Sequence, residues 1–185
     1  MSPWWMLAAA LCGAAGTAFL WIYNRLIQLR NQQREAWSGI DVQLRRRHDL
    51  IPALVECVKG YQKHEAGLFT DIAAARSAAV TAPAGPASAG AETRLSGQVR
   101  HLFAIAEAYP ELKAGENFRA LSAQLVAIED ELQYARRYYN GSVRDFRNAA
   151  ESFPANLVAG LFRFQPDPFF EIETATERST PGVQL

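Results

Sequence analysis

The side chains best suited to chemistry gather between residues 45 and 65: the run Arg45-Arg46-Arg47, the neighbours His48 and Asp49, the thiol of Cys57, and the pair His64 and Glu65. Imidazole and carboxylate groups together could hold a metal ion or activate a water, and a thiol beside an imidazole could act as a nucleophile. The spacing works against each. A di-iron helical site needs Glu-x-x-His on two helices, and no Glu in this chain has a His three positions later. His48 and Asp49 are adjacent, so a helix points them about 100° apart. Cys57 and His64 lie seven residues apart, beyond thiolate-activating reach, and a core cysteine is the plainer account. Glu65 complements the dipole at a helix start. No catalytic residue, cofactor or metal site is expected. His48, Asp49, His64 and Glu65 stay as a candidate interaction site, or an alternative metal-binding or hydrolytic one if a cleft brings them together.

The three arginines do not make a nucleic-acid patch. On a helix they fan out at about 100° intervals, Asp41, Asp49 and Glu56 dilute them, and the whole chain balances 19 Lys+Arg against 19 Asp+Glu. No nucleic-acid partner is expected.

These residues sit on a long helix. Apolar residues fall at 37, 40 and 44, then at 51, 54 and 58, in steps of three and four, and Arg47 takes the core slot between the two groups. The phase survives Pro52, which therefore kinks the helix, and Lys59-Gly60 ends it. A second helix is predicted over 63–81, followed by the loop-like "TAPAGPASAG". A third runs through Leu95, Val99, Leu102, Ala106 and Tyr109 to a stop at Pro110. The last is the longest, with its apolar seam from Phe118 to Phe153 passing through Asn140-Gly141, a pair that ordinarily marks a hairpin turn. No period-2 run is long enough for a strand, so the fold is expected to be all-α.

Lengths set the expected architecture: two long helices of roughly 54 Å and two of about half that, arranged as an antiparallel up-down four-helix bundle. Counted along antiparallel partners, Arg47 meets the last helix near residue 130. A buried arginine needs a carboxylate, because an unpaired buried charge costs several kcal/mol. The expected structural ion pair is Arg46 or Arg47 with Glu129 or Asp130, fixing the register of the two helices.

Before the first long helix stand twenty residues without a charge, 4–23, "WWMLAAALCGAAGTAFLWIY". Twenty helical residues rise about 30 Å, the thickness of a bilayer's hydrocarbon core. Trp4 and Trp5 at one end and Trp21 and Tyr23 at the other suit the two interfaces. No basic residue precedes the stretch and the apolar run continues through "FLWIY", which argues against a cleaved signal; Leu11 ahead of Cys12 argues against a lipoprotein signal. Arg25, Arg30 and Arg34 follow the span, so the N-terminus is expected outside and residues 24–185 on the cytoplasmic side of the membrane. Two cysteines, one of them inside the span, fit a reducing compartment. The expected divisions are a short outer segment and span over 1–23, a cytoplasmic helical domain over 24–170, and a disordered tail over 171–185. The aromatic segment "SFPANLVAGLFRFQPDPFFEIE" is expected to cap the base of the bundle, with Phe162 and Phe164 as an alternative contact with the membrane interface.

Several blocks, in order, resemble the LemA family of bacterial membrane-anchored proteins: "AWSGIDVQLRRRHDLIPALVECVKGYQKHE", "EAYPELKAGENFRALSAQLVAIEDEL", "ARRYYNG" followed by "VRDF", "ESFPANLVAGLF" and "FFE". The resemblance runs from Tyr23 to Glu171 and departs from the usual pattern at Arg147, where an asparagine is expected, and at Arg163, where a glycine is common. It implies a short outer N-terminus, one span in the bacterial inner membrane and a cytoplasmic four-helix bundle, with no established catalysis. Family members are often encoded beside membrane proteins of protease or TPM-domain type. The implied role is an adaptor that binds such a membrane protein or itself; the alternatives are a lipid-sensing or membrane-remodelling homo-oligomer and a metal-binding or hydrolytic bundle.

Overall fold

The computed structural model describes residues 4–60 and 66–171. All regular structure among them is helical: α1 (Trp4–Lys59), α2 (Ala66–Thr81), α3 (Ala89–Glu107), α4 (Pro110–Ala114), α5 (Glu116–Glu151) and α6 (Ala155–Phe162), with one 3-10 turn at Pro86–Ser88. His64, Glu65 and the tail beyond Glu171 lie outside the described residues.

The helix boundaries differ from the sequence expectation in three places, each for a local reason. The loop after α2 is short, because Pro86 opens a 3-10 turn and α3 begins at Ala89, six residues ahead of the first apolar core position at Leu95. Pro110 both follows the end of α3 and opens α4, since a proline at the first turn of a helix gives up an N–H that would have had no intrahelical partner. The aromatic segment after α5 contains the helix α6, ended by Arg163 in the left-handed conformation at φ 54° and ψ 44°, with the Phe164 amide donating to the Ala159 carbonyl at 2.9 Å. α5 itself passes through Asn140-Gly141 without a break.

Pro52 lies inside α1. Its ring crowds the carbonyl four residues back and it has no N–H to donate there. That carbonyl belongs to His48, and Arg76 of α2 donates its Nε to it at 2.6 Å. The orphan acceptor created by the proline thus becomes the point where α2 is tied to α1.

The described chain forms two compact units. The first takes α1 through Ser38, α5 from Arg137, then α6 and the segment to Phe169. Its core is Leu26 and Leu29 of α1, Phe146 and Ala150 of α5, Val158 and Ala159 of α6, and Phe164. The segment after α6 is held by Tyr139 Oη donating to the Pro168 carbonyl at 3.1 Å and by Gln33 Nε2 donating to Asp167 at 2.5 Å. Trp37 meets the Tyr139 ring edge-on. The second unit takes α1 from Gly39, all of α2, α3 and α4, α5 through Arg136, and Phe170. Ile51 and Leu54 of α1, Leu68 and Ile72 of α2, Leu95 and Leu102 of α3, Leu112 of α4 and Leu125 of α5 share one core there.

The uncharged stretch of α1 lies outside both cores through Trp21, and its last two residues, Ile22 and Tyr23, pack against the core of the first unit. Trp4, Leu7, Leu11, Leu20 and Trp21 are exposed, although α1 is long and apolar enough there to cross a membrane. A core helix of the same composition would be covered by protein. Thr17, in the middle of the stretch, bonds its hydroxyl back to the carbonyls of Gly13 and Ala14 at 3.0 and 2.9 Å, so its polar group needs no water.

Candidate functional site

The core phase of α1 that carries Ile40, Leu44, Ile51 and Leu54 carries Arg47 as well, and α3 and α5 of the second unit supply its counterions. Arg47 and Glu92 are each 1% exposed, and Nη2 of Arg47 lies 3.0 Å from Glu92 Oε2. Nη1 reaches Glu129 Oε1 of α5 at 3.2 Å. Nη2 also donates to the Glu92 carbonyl at 3.2 Å, which accepts from the Ser96 hydroxyl at 2.9 Å. The other carboxylate oxygen of Glu92 stands 2.9 Å from Nε2 of the buried His48. Glu92 is therefore bridged by two successive residues of α1, and the guanidinium joins three helices. A planar fork with five N–H donors suits this better than a lysine would, since it meets both carboxylates at once. Glu129 is part-exposed, so the cluster reaches the surface on the α5 side.

Of the residues singled out in the sequence, the structure brings together Arg47, Glu129 and His48. Arg46, Asp130 and Asp49 are exposed and outside the cluster; Arg46 and Asp49 line an open surface groove with Gln124 and Ile128. A helical step of about 100° is what parts His48 and Asp49. Phe162 is half-exposed, whereas Phe164 is buried, its ring edge-on to Phe146 and under the Arg30 guanidinium at 5.3 Å. The left-handed turn at Arg163 is what separates them. The other aromatics of this segment divide as well: Phe170 is fully buried, and Phe153 and Phe169 are exposed.

Sequence reasoning missed Glu92. A signal for it existed, because Glu92 stands one three-residue step ahead of Leu95 in the series Leu95, Val99, Leu102, Ala106 and so occupies a core slot as Arg47 does. Among the described residues, no group of three or more His, Cys, Asp and Glu side chains is arranged to hold a metal ion. The groups of the cluster are turned toward one another, with the imidazole of His48 on Glu92 and the guanidinium of Arg47 on two carboxylates. As an assembly its chemistry is charge pairing that holds α1, α3 and α5 together.

In the first unit the perturbed group is Tyr139, whose phenol is pushed up to about 12 by burial first and by the nearby Asp167 carboxylate second, with the Gln33 hydrogen bond acting the other way. It serves as a neutral donor that fixes the segment after α6.

An exposed, uncharged helical stretch leading into helices joined by a buried charge cluster defines a helical protein with, among the described residues, one helix long and apolar enough to cross a membrane. Residues 36–185 match the model of the LemA family. The chain belongs to the LemA family. It is similar to the magnetosome protein MamQ of Magnetospirillum gryphiswaldense, 22% identical over 90% of this chain and 72% of that protein. Magnetosome proteins MamQ 1 and MamQ 2 of Paramagnetospirillum magneticum are each 20% identical over 88% of this chain and 70% of theirs.

Proposed function

We propose that this protein is a single-span, membrane-anchored helical scaffold that presents its helices on the cytoplasmic face for protein–protein contact and carries out no catalysis. The observation that carries the reading is the exposed apolar stretch of α1, which continues without a break into a helix carrying Arg25, Arg30 and Arg34. Twenty residues spanning about 30 Å, with basic residues only on the far side, favour an N-terminus outside and residues 24–170 in the cytoplasm of a bacterial cell. In this reading α1, α2, α3 and α5 form an antiparallel up-down four-helix bundle, and Arg47 with Glu92 and Glu129 fixes its register. The partner is a membrane protein, of protease or TPM-domain type by the family resemblance, or a second copy of the chain.

Photo-crosslinking in living cells tests this. A photoreactive residue placed at the exposed positions Asp71 of α2 and Arg94 and Arg100 of α3 is expected to yield a dominant membrane-protein adduct or a self-adduct, read by mass spectrometry. Recovery of the uncrosslinked monomer from all three sites would overturn the proposal.

A further inference from the structure

α6 has two unlike faces. Val158 and Ala159 are buried in the core of the first unit, while Leu157 and Leu161, one turn apart, are 64 and 70% exposed, and Phe153, in the turn that precedes α6, is 79% exposed. Leu157 and Leu161 form an apolar stripe along one side of α6 that water solvates poorly, and Phe153 adds an exposed ring just ahead of it. The position of the stripe points to what covers it. Phe162, at the end of α6, places its ring 6.1 Å from Phe19 and 4.8 Å from Tyr23. Phe19 belongs to the uncharged stretch of α1 and Tyr23 is its last residue, so the end of α6 abuts the end of that stretch. The charges are arranged accordingly. α6 contains none, and the exposed Arg163 follows directly after it, as the exposed Arg25 follows the stretch in α1. An arginine at the edge of an apolar helix can hold its head among phosphates while its stem lies along acyl chains.

We infer that the outward face of α6 is a second bilayer contact: Leu157 and Leu161, with Phe153 from the turn ahead of the helix, lie among the phospholipid acyl chains, in the interfacial zone of the leaflet from which α1 emerges. The occupant is lipid because α6, through Phe162, abuts the apolar stretch of α1 at Phe19 and Tyr23, where that stretch ends. The consequence is a chain held to its membrane at two points, one passing through and one lying in the plane. This rests on the reading of α1 as a membrane span, so the test includes a probe within that span.

The experiment uses the full chain with Cys12→Ser and Cys57→Ser, reconstituted into phosphatidylcholine–phosphatidylglycerol vesicles. Nitroxide labels are placed one at a time at Leu157→Cys and Leu161→Cys on α6, at Leu11→Cys in the span and at the exposed Gln165→Cys. Power saturation then compares collisions with oxygen, which concentrates in the acyl region, and with a nickel chelate, which stays in water. The expected result is oxygen dominance at 157 and 161, to a lesser depth than at 11, with nickel dominance at 165. Nickel dominance at 157 and 161 while 11 remains oxygen-dominated would overturn the inference and leave the span standing. Loss of both kinds of collision at 157 and 161, with spin–spin broadening, would overturn it in favour of a second copy covering the stripe. Nickel dominance at 11 would overturn the span and this inference with it.

Discussion

The Arg76 to His48 carbonyl bond exists because Pro52 has no N–H to offer, and that dependence can be measured. Removing the donor with Arg76→Ala leaves an acceptor that is cut off from its helix partner. Hydrogen bonds from charged donors contribute about 1.5–3 kcal/mol, and because Arg76 is part-exposed the lower end applies, about 1.5 kcal/mol. Pro52→Ala supplies the missing amide, which donates to His48 within α1. An interior proline costs a helix about 3 kcal/mol, offset by about 1 kcal/mol because proline also restricts the unfolded chain. Pro52→Ala alone should therefore stabilise by about 1–2 kcal/mol. In the Pro52→Ala background, Arg76→Ala should cost only about 0.5 kcal/mol, a coupling of about 1 kcal/mol between two residues on different helices. Chemical denaturation of the full chain in detergent micelles, followed by far-ultraviolet circular dichroism, closes the four-member cycle. If the two effects add to within about 0.3 kcal/mol, the proline and the arginine are independent and the reasoning fails.

The buried cluster makes a second prediction: Arg47→Met strands the Glu92 carboxylate and should destabilise by about 3–5 kcal/mol, while Arg47→Met with Glu92→Leu recovers most of the loss, also read by denaturation. A double variant as unstable as the single one would show that packing, and not charge, governs the site. Tyr139 sets an alkaline limit. Its folded value, about 12, lies above the ordinary 10.0, so its contribution is fully present below pH 10.0 and is lost as pH rises through about 12. Tyr139→Phe should flatten that part of the stability profile relative to the parent chain, and an unchanged slope would contradict the assignment. At Arg163 the left-handed backbone costs a side chain about 1 kcal/mol, so Arg163→Gly should raise stability by about 0.5–1 kcal/mol where Arg163→Ala does not. An equal gain from alanine would place the effect in the guanidinium instead of the Cβ.

What was legible in the sequence was what repeats. The 3.6-residue period marked α1 through its proline and α5 through Asn140-Gly141, and it marked Arg47 as a polar residue in a core position, which is why a carboxylate on the last long helix could be sought near residue 130. Glu92 carries the same signal, but the small residues ahead of it read as a loop, so the period was counted only from Leu95. The outcome at Phe162 and Phe164 was not legible in composition or spacing, because one left-handed residue between them decides which ring turns inward; the glycine common at position 163 in the LemA family was its one trace. Arg76 was hidden for a different reason. Its partner is a backbone carbonyl, which no residue type announces, though Pro52 implied that the carbonyl of His48 would need a donor.

The unbroken passage of α5 through Asn140-Gly141 has a consequence for how the protein ages. An asparagine followed by glycine deamidates when the glycine nitrogen attacks the side-chain amide and closes a succinimide ring, which then opens to aspartate or isoaspartate. Within a helix that nitrogen is committed to the carbonyl four residues back and the backbone is not in the shape that ring closure needs. Isoaspartate at residue 140 would therefore accumulate only during the fraction of time α5 spends open, and its amount in aged protein would serve as a slow chemical clock of local unfolding.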